Sequence, residues 1–231
     1  MILDNLSHAV KTQNWLAAGI EFLIVLAGVV AGFQISAWAE AQAERQRETL
    51  LLARLDADFA DLSARAAESI DQCTEGQNNA LEFSTLLATA PEQERETLVA
   101  ALASAIGTPV PIGRSATYVE LLASGEMALI RSEALRTALV DFDEQVRRHE
   151  LAYESLSTLT ISNAGIMFET YALVSSPSAA RLDDTLTQRF QGADLAAGAQ
   201  IMALVNARNC FWFESVRTRA DAVRDTLGAL S

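Results

Sequence analysis

The chain has 231 residues, half of them hydrophobic, with only 11 glycines and 4 prolines. This composition suits one helical domain plus an anchor and argues against a turn-rich β fold. Asp and Glu outnumber Lys and Arg by 30 to 17, a formal charge of −13; such a surface repels phosphate backbones, so no nucleic-acid partner is expected.

Residues 1–14 form a short N-terminal tail holding Lys11 and His8. Residues 15–38, WLAAGIEFLIVLAGVVAGFQISAW, read as a transmembrane helix. Trp15 and Trp38 bracket the run as interfacial aromatics do, and 23 residues rise roughly 34 Å, enough to cross a hydrocarbon core of about 30 Å with a modest tilt. A cleaved signal peptide is the competing reading, since Ala37-Trp38-Ala39 resembles a cleavage site, but the apolar run is longer than a usual signal core. Glu21, Gly28 and Gly32 fall on one stripe of this helix with Ala17, Val25 and Ser36. Gly28 and Gly32 make a GxxxG motif, which lets helix backbones approach closely. A carboxylate inside the span is costly unless paired or turned to a protein interface. Glu21 therefore either hydrogen-bonds across a helix–helix contact or snorkels to the headgroups. Lysine and arginine counts (Lys11 before the span; Arg45, Arg47 and Arg54 after it) lean slightly toward a cytoplasmic C-terminal domain.

Residues 39–231 read as a soluble helical bundle. No Gly or Pro interrupts the chain from Gln34 to Gly76, so the anchor helix is expected to continue outward unbroken. Leu52, Leu55, Phe59, Leu62, Ala66, Ile70 and Cys73 recur every three or four residues as one core stripe, with Gly76 expected to end the helix. A short helix over 79–89 and another over 91–106 follow, the second opened by Pro91 and closed by Gly107. The segment 108–113, TPVPIG, is the clearest loop. Ser115 caps a helix to Ser124, ended by Gly125, whose C-cap conformation fixes the angle to the next helix. That helix is the longest, over 132–173, with Leu135, Leu139, Phe142, Val146, His149, Tyr153 and Leu156 on one stripe. After a loop at Pro177, a last helical region covers 182–230, interrupted at Gly192, with Leu195, Met202, Val205, Trp212, Val216, Ala220, Val223 and Leu227 inward. Long amphipathic helices with short connectors give an all-α, up-and-down bundle, and helices of this length can extend as a coiled coil against a second copy.

Chemical motifs are missing. The sequence holds no P-loop, no dinucleotide fingerprint and no nucleophile elbow. His149 lies on a core stripe and neither histidine sits in a Glu-x-x-His pattern, so no metal or other cofactor is expected. Asp141, Asp143 and Glu144 lack the calcium-loop pattern and read as a solvated face. Phe211-Trp212-Phe213 spans too wide an arc for all three rings to face the core; one is free for a partner or the stripe is broad. Cys73 and Cys210, the only cysteines, are either a disulfide in an oxidising compartment or two buried thiols.

Two stretches carry a resemblance. Glu21 in the span followed by Gln34 and Trp38-Ala39-Glu40, together with Tyr118-x-x-Leu121-x-x-Ser124-Gly125, Leu129-Ile130-Arg131 and Leu135-Arg136, resemble an uncharacterised family of bacterial single-pass membrane proteins of similar length. The chain departs from that pattern at Ser36, Ala37 and Ala39 and in its acidic flank. The resemblance implies a bacterial inner-membrane location, assigns no activity, and singles out Glu21 and the Ser124-Gly125 turn. The expected function is non-enzymatic: a membrane-anchored structural or interaction protein, touching lipid, that self-associates or joins a larger membrane complex. The alternative is a tethered ligand-sensing bundle.

Overall fold

The computed structural model describes residues 15–89, 94–176 and 183–230. These are all-α: six helices and one 3-10 turn, with no strand among the described residues. They are α1 (Trp15–Ala88), α2 (Arg95–Ala105), α3 (Ala116–Ser124), the 3-10 turn Glu126–Leu129, α4 (Glu133–Val174), α5 (Asp183–Gln191) and α6 (Ala193–Gly228). The chain divides into two compact units, Met1–Leu50 and Leu51–Ser231. The expected helix start at Pro91, the loop at Pro177 and His8 lie outside the described residues.

In the first unit, α1 presents Ile20, Phe22, Leu23, Ile24, Val25, Phe33, Ile35 and Trp38 outward, all exposed. It is the one helix, among the described residues, long and apolar enough to cross a membrane.

The second unit is a bundle of four strokes. Residues 51–88 of α1 make the first. Cα-level neighbours fix the directions of the others. Ser63 on α1 donates to Asp221 on α6 (2.6 Å) and Cys73 faces Cys210 (Cα–Cα 5.6 Å), so α1 and α6 run antiparallel. His149 meets Asn209, and Gly198 lies against Met167, so α4 and α6 are antiparallel too. The stroke between α1 and α4 is broken. It descends as α2, then an extended segment 107–114, then α3, with Asn79 donating to the Ser104 carbonyl at one end and Arg54 paired with Glu120 at the other.

Local sequence explains the ends of these elements. Ser115 and Ser132 have extended backbones and accept from the amides of Tyr118 and Leu135, the pattern of N-caps. Gly125 closes α3 at φ +75°, where a side chain would be strained. Gly192 divides the last helical region, as expected.

Gly76 differs from its expected role. It does not end α1, which continues to Ala88 and absorbs the separate helix expected over 79–89. A Cβ at Gly76 would lie 3.0 Å from Asn206 Nδ2 and 3.2 Å from Oδ1. The glycine is there to let α6 pass close, at the modest helix penalty glycine carries.

The interior forms two apolar clusters. One gathers Leu55, Phe59 and Leu62 with Tyr118, Leu121, Leu139, Phe142, Phe213 and Val216. The other gathers Phe83 and Leu87 with Leu102, Met167, Leu186, Phe190, Leu195 and Met202. Glycine positions test this packing directly. Gly76→Leu is expected to drive a side chain into Asn206 and destabilise the protein by about 1–3 kcal/mol. Gly165→Ala, in a helix with open space beside it, is expected to stabilise by about 0.5–1 kcal/mol. Opposite shifts in the midpoint of thermal unfolding followed by circular dichroism check both.

Candidate functional site

In the apolar N-terminal part of α1, a candidate span, Glu21, Gly28 and Gly32 fall within about 40° of arc at 100° per residue. All three are exposed, and nothing lies within 4 Å of a Cβ placed on either glycine. The stripe is thus bare of contacts from the described residues of its own chain.

The turn singled out by the resemblance is a structural corner. Asp58 on α1 accepts from the Ser115 hydroxyl (2.8 Å) and the Thr117 amide (3.0 Å), tying α1 to the start of α3. Burial works to raise the Asp58 pKa, but the Thr117 amide, the Ser115 hydroxyl and nearby Arg54 outweigh it and hold the carboxyl below its usual range. Tyr118, Leu121, Ile130 and Leu135 all point into the first cluster. Gly125 supplies the left-handed turn, and Arg136 Nη1 donates to the Ile130 carbonyl (2.6 Å) while pairing with Glu133. Tyr118, Leu121, Gly125, Ile130, Leu135 and Arg136 of the motif therefore each have a packing, turn or hydrogen-bonding role. Ser124 contributes weakly, its hydroxyl 3.4 Å from the Leu121 carbonyl and from Glu126.

The three acidic positions on α4 are each answered by an arginine: Asp141 by Arg219, Asp143 by Arg114 and Glu144 by Arg148. Among the described residues, no group of three or more His, Cys, Asp or Glu is placed to hold a metal ion.

Between the two apolar clusters lies a polar layer, built around the break in the second stroke. Asn206 Nδ2 donates to the Gly107 carbonyl (3.0 Å) and to Met202 O (3.2 Å). Asn209 Nδ2 donates to Thr108 Oγ1 and to the Pro109 carbonyl, both 2.8 Å. With both amide hydrogens spent, Asn209 Oδ1 is an acceptor, so His149 Nε2, 2.8 Å away, carries the proton and donates. His149 Nδ1 is left as a buried acceptor with no partner among the described residues. The ring packs edge-on to Phe213 (4.6 Å) and parallel to Trp212 (6.2 Å). In the aromatic triplet, Phe213 is buried, Trp212 half-buried and Phe211 exposed, with Arg208 stacked over the rings of Phe211 and Trp212.

Cys73 and Cys210 form a disulfide at the margin of the first apolar cluster, beside this layer, the first fully buried and the second half-buried. The sequence leaves both readings open and favours two buried thiols; the fold supplies the proximity that a spacing of 137 residues conceals. Asn206, Asn209 and Thr108 were not singled out by sequence. Their signal was a gap: the inward stripe of α6 jumps from Val205 to Trp212, and two asparagines fill it.

An extended segment is thinner than the helix it replaces, and a groove lies on each side of it. One faces α1, lined by Gln72, Glu75, Gly76 and Asn79, with a volume of about 410 Å³. The other lies between α4 and α6, about 390 Å³, lined by Tyr153, Leu156, Ile161, Phe168, Met202 and Val205 with the hydroxyls of Thr108, Ser157 and Thr160.

No family model, curated protein or solved structure matches this chain. The geometry alone carries the reading of the site.

Burial pushes the His149 pKa below its ordinary 6.5, against the smaller opposing pulls of Asn209 and Glu150. A proton at Nδ1 would have no acceptor. The folded state thus binds it less readily than the unfolded chain, and the sign follows from linkage. The stabilising contribution is complete above about pH 6.5 and is lost as pH falls from there toward the lower folded value. The lowered pKa of Asp58 acts only below its ordinary 3.8. Thermal midpoints are therefore expected to drop between pH 7.5 and 5, and His149→Gln to flatten that slope. An unchanged slope in the variant would show that other groups cause it.

Proposed function

We propose that this is a membrane-anchored, non-enzymatic interaction protein of the bacterial cell membrane. It associates through its span, either with itself or as an accessory subunit of a larger membrane complex. The observation carrying this reading is the bare stripe of Glu21, Gly28 and Gly32 on an otherwise apolar, outward-facing helix. In lipid there is no hydrophobic drive between helices, so association relies on close packing and on polar groups that need partners. Two glycines supply the first and a carboxylate the second, on one face. The same stripe would serve an identical helix or a different one. Membrane lipid is the remaining neighbour of the span. The family resemblance in the span exit and in the Tyr118–Gly125 segment agrees with this reading and adds the bacterial location.

A second reading is favoured by the groove between α4 and α6. Its volume of about 390 Å³ lies in the range of small-molecule sites, and an apolar lining with a few convergent hydroxyls is the usual composition of one. Under this reading the bundle senses an uncharged, largely apolar metabolite.

Crosslinking of the full chain in native membranes separates these readings. Gly28→Leu/Gly32→Leu is expected to reduce crosslinked bands several-fold, and Glu21→Leu to reduce them as well; unchanged bands in both would sink association through this stripe. For the groove, Ile161→Glu changes an exposed position (74 % exposed) and should leave the fold intact. It is expected to abolish saturable binding of an uncharged apolar dye to the purified protein if the groove binds ligands. Equal dye binding by the variant would remove the second reading.

A further inference from the structure

We propose that Cys73 and Cys210 are a modification site for an oxidising thiol–disulfide exchange partner, and that residues 39–231 consequently lie on the oxidising, non-cytoplasmic side of the membrane. The orientation rests on residues 15–38 being a span; the disulfide does not.

Four observations carry this. The two cysteines are the only ones in the chain, so no alternative pairing within it competes. Their Cα atoms lie 5.6 Å apart, inside the range that a disulfide needs without backbone movement. They join antiparallel helices across a loop of 137 residues, the geometry of a structural tie and unlike the adjacent cysteines of a redox catalyst. Finally, their surroundings do not activate a thiolate: the nearest polar groups are the Ile70 carbonyl, 3.2 Å from Cys73 Sγ, and the Thr74 hydroxyl, 3.6 Å from Cys210 Sγ. No cation that would lower a thiol pKa is among them. A structural tie of this kind persists where thiols are kept oxidised and is rare in a reducing cytosol. The basic residues flanking the span point the other way by only one or two charges, a margin too small to fix orientation. Compartment redox chemistry is the stronger constraint.

Burial orders the steps. Cys210 is half-buried and Cys73 fully buried, so Cys210 is the entry thiol. Its thiolate attacks a sulfur of the partner's disulfide, forming a mixed disulfide and releasing one partner thiol. The Cys73 thiolate then attacks Cys210 Sγ, closing the internal bond and expelling the second partner thiol. Two protons leave the cysteines, and the two electrons reduce the partner to its dithiol.

The test uses the full chain in bacterial cells. Cells are quenched in acid and alkylated under denaturing conditions with a maleimide polymer, with and without prior reduction; spheroplasts are separately exposed to protease. The expected result is no adduct before reduction, two after it, and digestion of the bundle by external protease. Two adducts without reduction overturn the modification site, and an oxidised but protease-protected bundle overturns the orientation. Release of the chain from membranes by alkaline carbonate would instead overturn the span and leave the disulfide standing. Single variants test the order. Cys73→Ser should accumulate a reducible adduct with the partner at least several-fold over Cys210→Ser, and the reverse ratio would overturn Cys210 as the entry thiol.

Discussion

The backbone of residues 107–114 is the constraint around which the second unit is organised. Where the second stroke leaves helical geometry, its carbonyls lose their internal partners, and those of Gly107 and Pro109 lie against α6 in part-buried positions. A buried, unsatisfied backbone group costs about as much as a lost hydrogen bond, on the order of 1–3 kcal/mol. Asn206 and Asn209 answer the carbonyls of Gly107 and Pro109 from α6. Asparagines on a core stripe would otherwise be a liability, and here two of them are one helical turn apart because the two carbonyls need them.

That requirement spreads outward. Asn209 aims both amide hydrogens at the extended segment, and His149 donates to its oxygen from α4. Burial then favours the neutral form of His149, whose second nitrogen meets no acceptor among the described residues. Asn206 needs room at the crossing with α1, and Gly76 provides it. One break in one stroke thus dictates residues on each of the three long helices. It also divides the apolar interior into two clusters with a polar layer between them, and opens a groove on either side of the thin segment.

Much of this was readable from sequence, and the reasons for the rest are specific. Periodicity places Leu55, Phe59, Leu139, Phe142, Val216 and Val223 inward, because each stripe is long and its helix is bounded by caps such as Ser115, Ser132 and Gly125. Gly76 was misread because glycine has two meanings in a helix. It permits a left-handed C-cap, and it permits close approach; only the position of Asn206, 130 residues later in the chain, tells which applies. The segment 108–113 is legible as a loop, yet which of its groups meet α6 depends on partners remote in sequence. The cysteine pair is a similar case: spacing says nothing about proximity when two long helices have to be aligned first. In the span the position was simpler, since Glu21, Gly28 and Gly32 share a stripe by helical geometry alone.

The placement of the disulfide follows from the same layering. Apolar burial on either side holds the ends of the bundle together, while the middle layer relies on a few hydrogen bonds, each worth only about 0.5–1.5 kcal/mol net. Local opening is favoured where buried apolar contacts are few. The polar layer is therefore the part of the bundle where apolar packing holds α6 and α1 least. Cys73 and Cys210 join α1 and α6 at the margin of the first apolar cluster, one turn from Gly76 and Asn206. A bond at that margin ties the two helices where the apolar packing of the first cluster gives way to the polar layer.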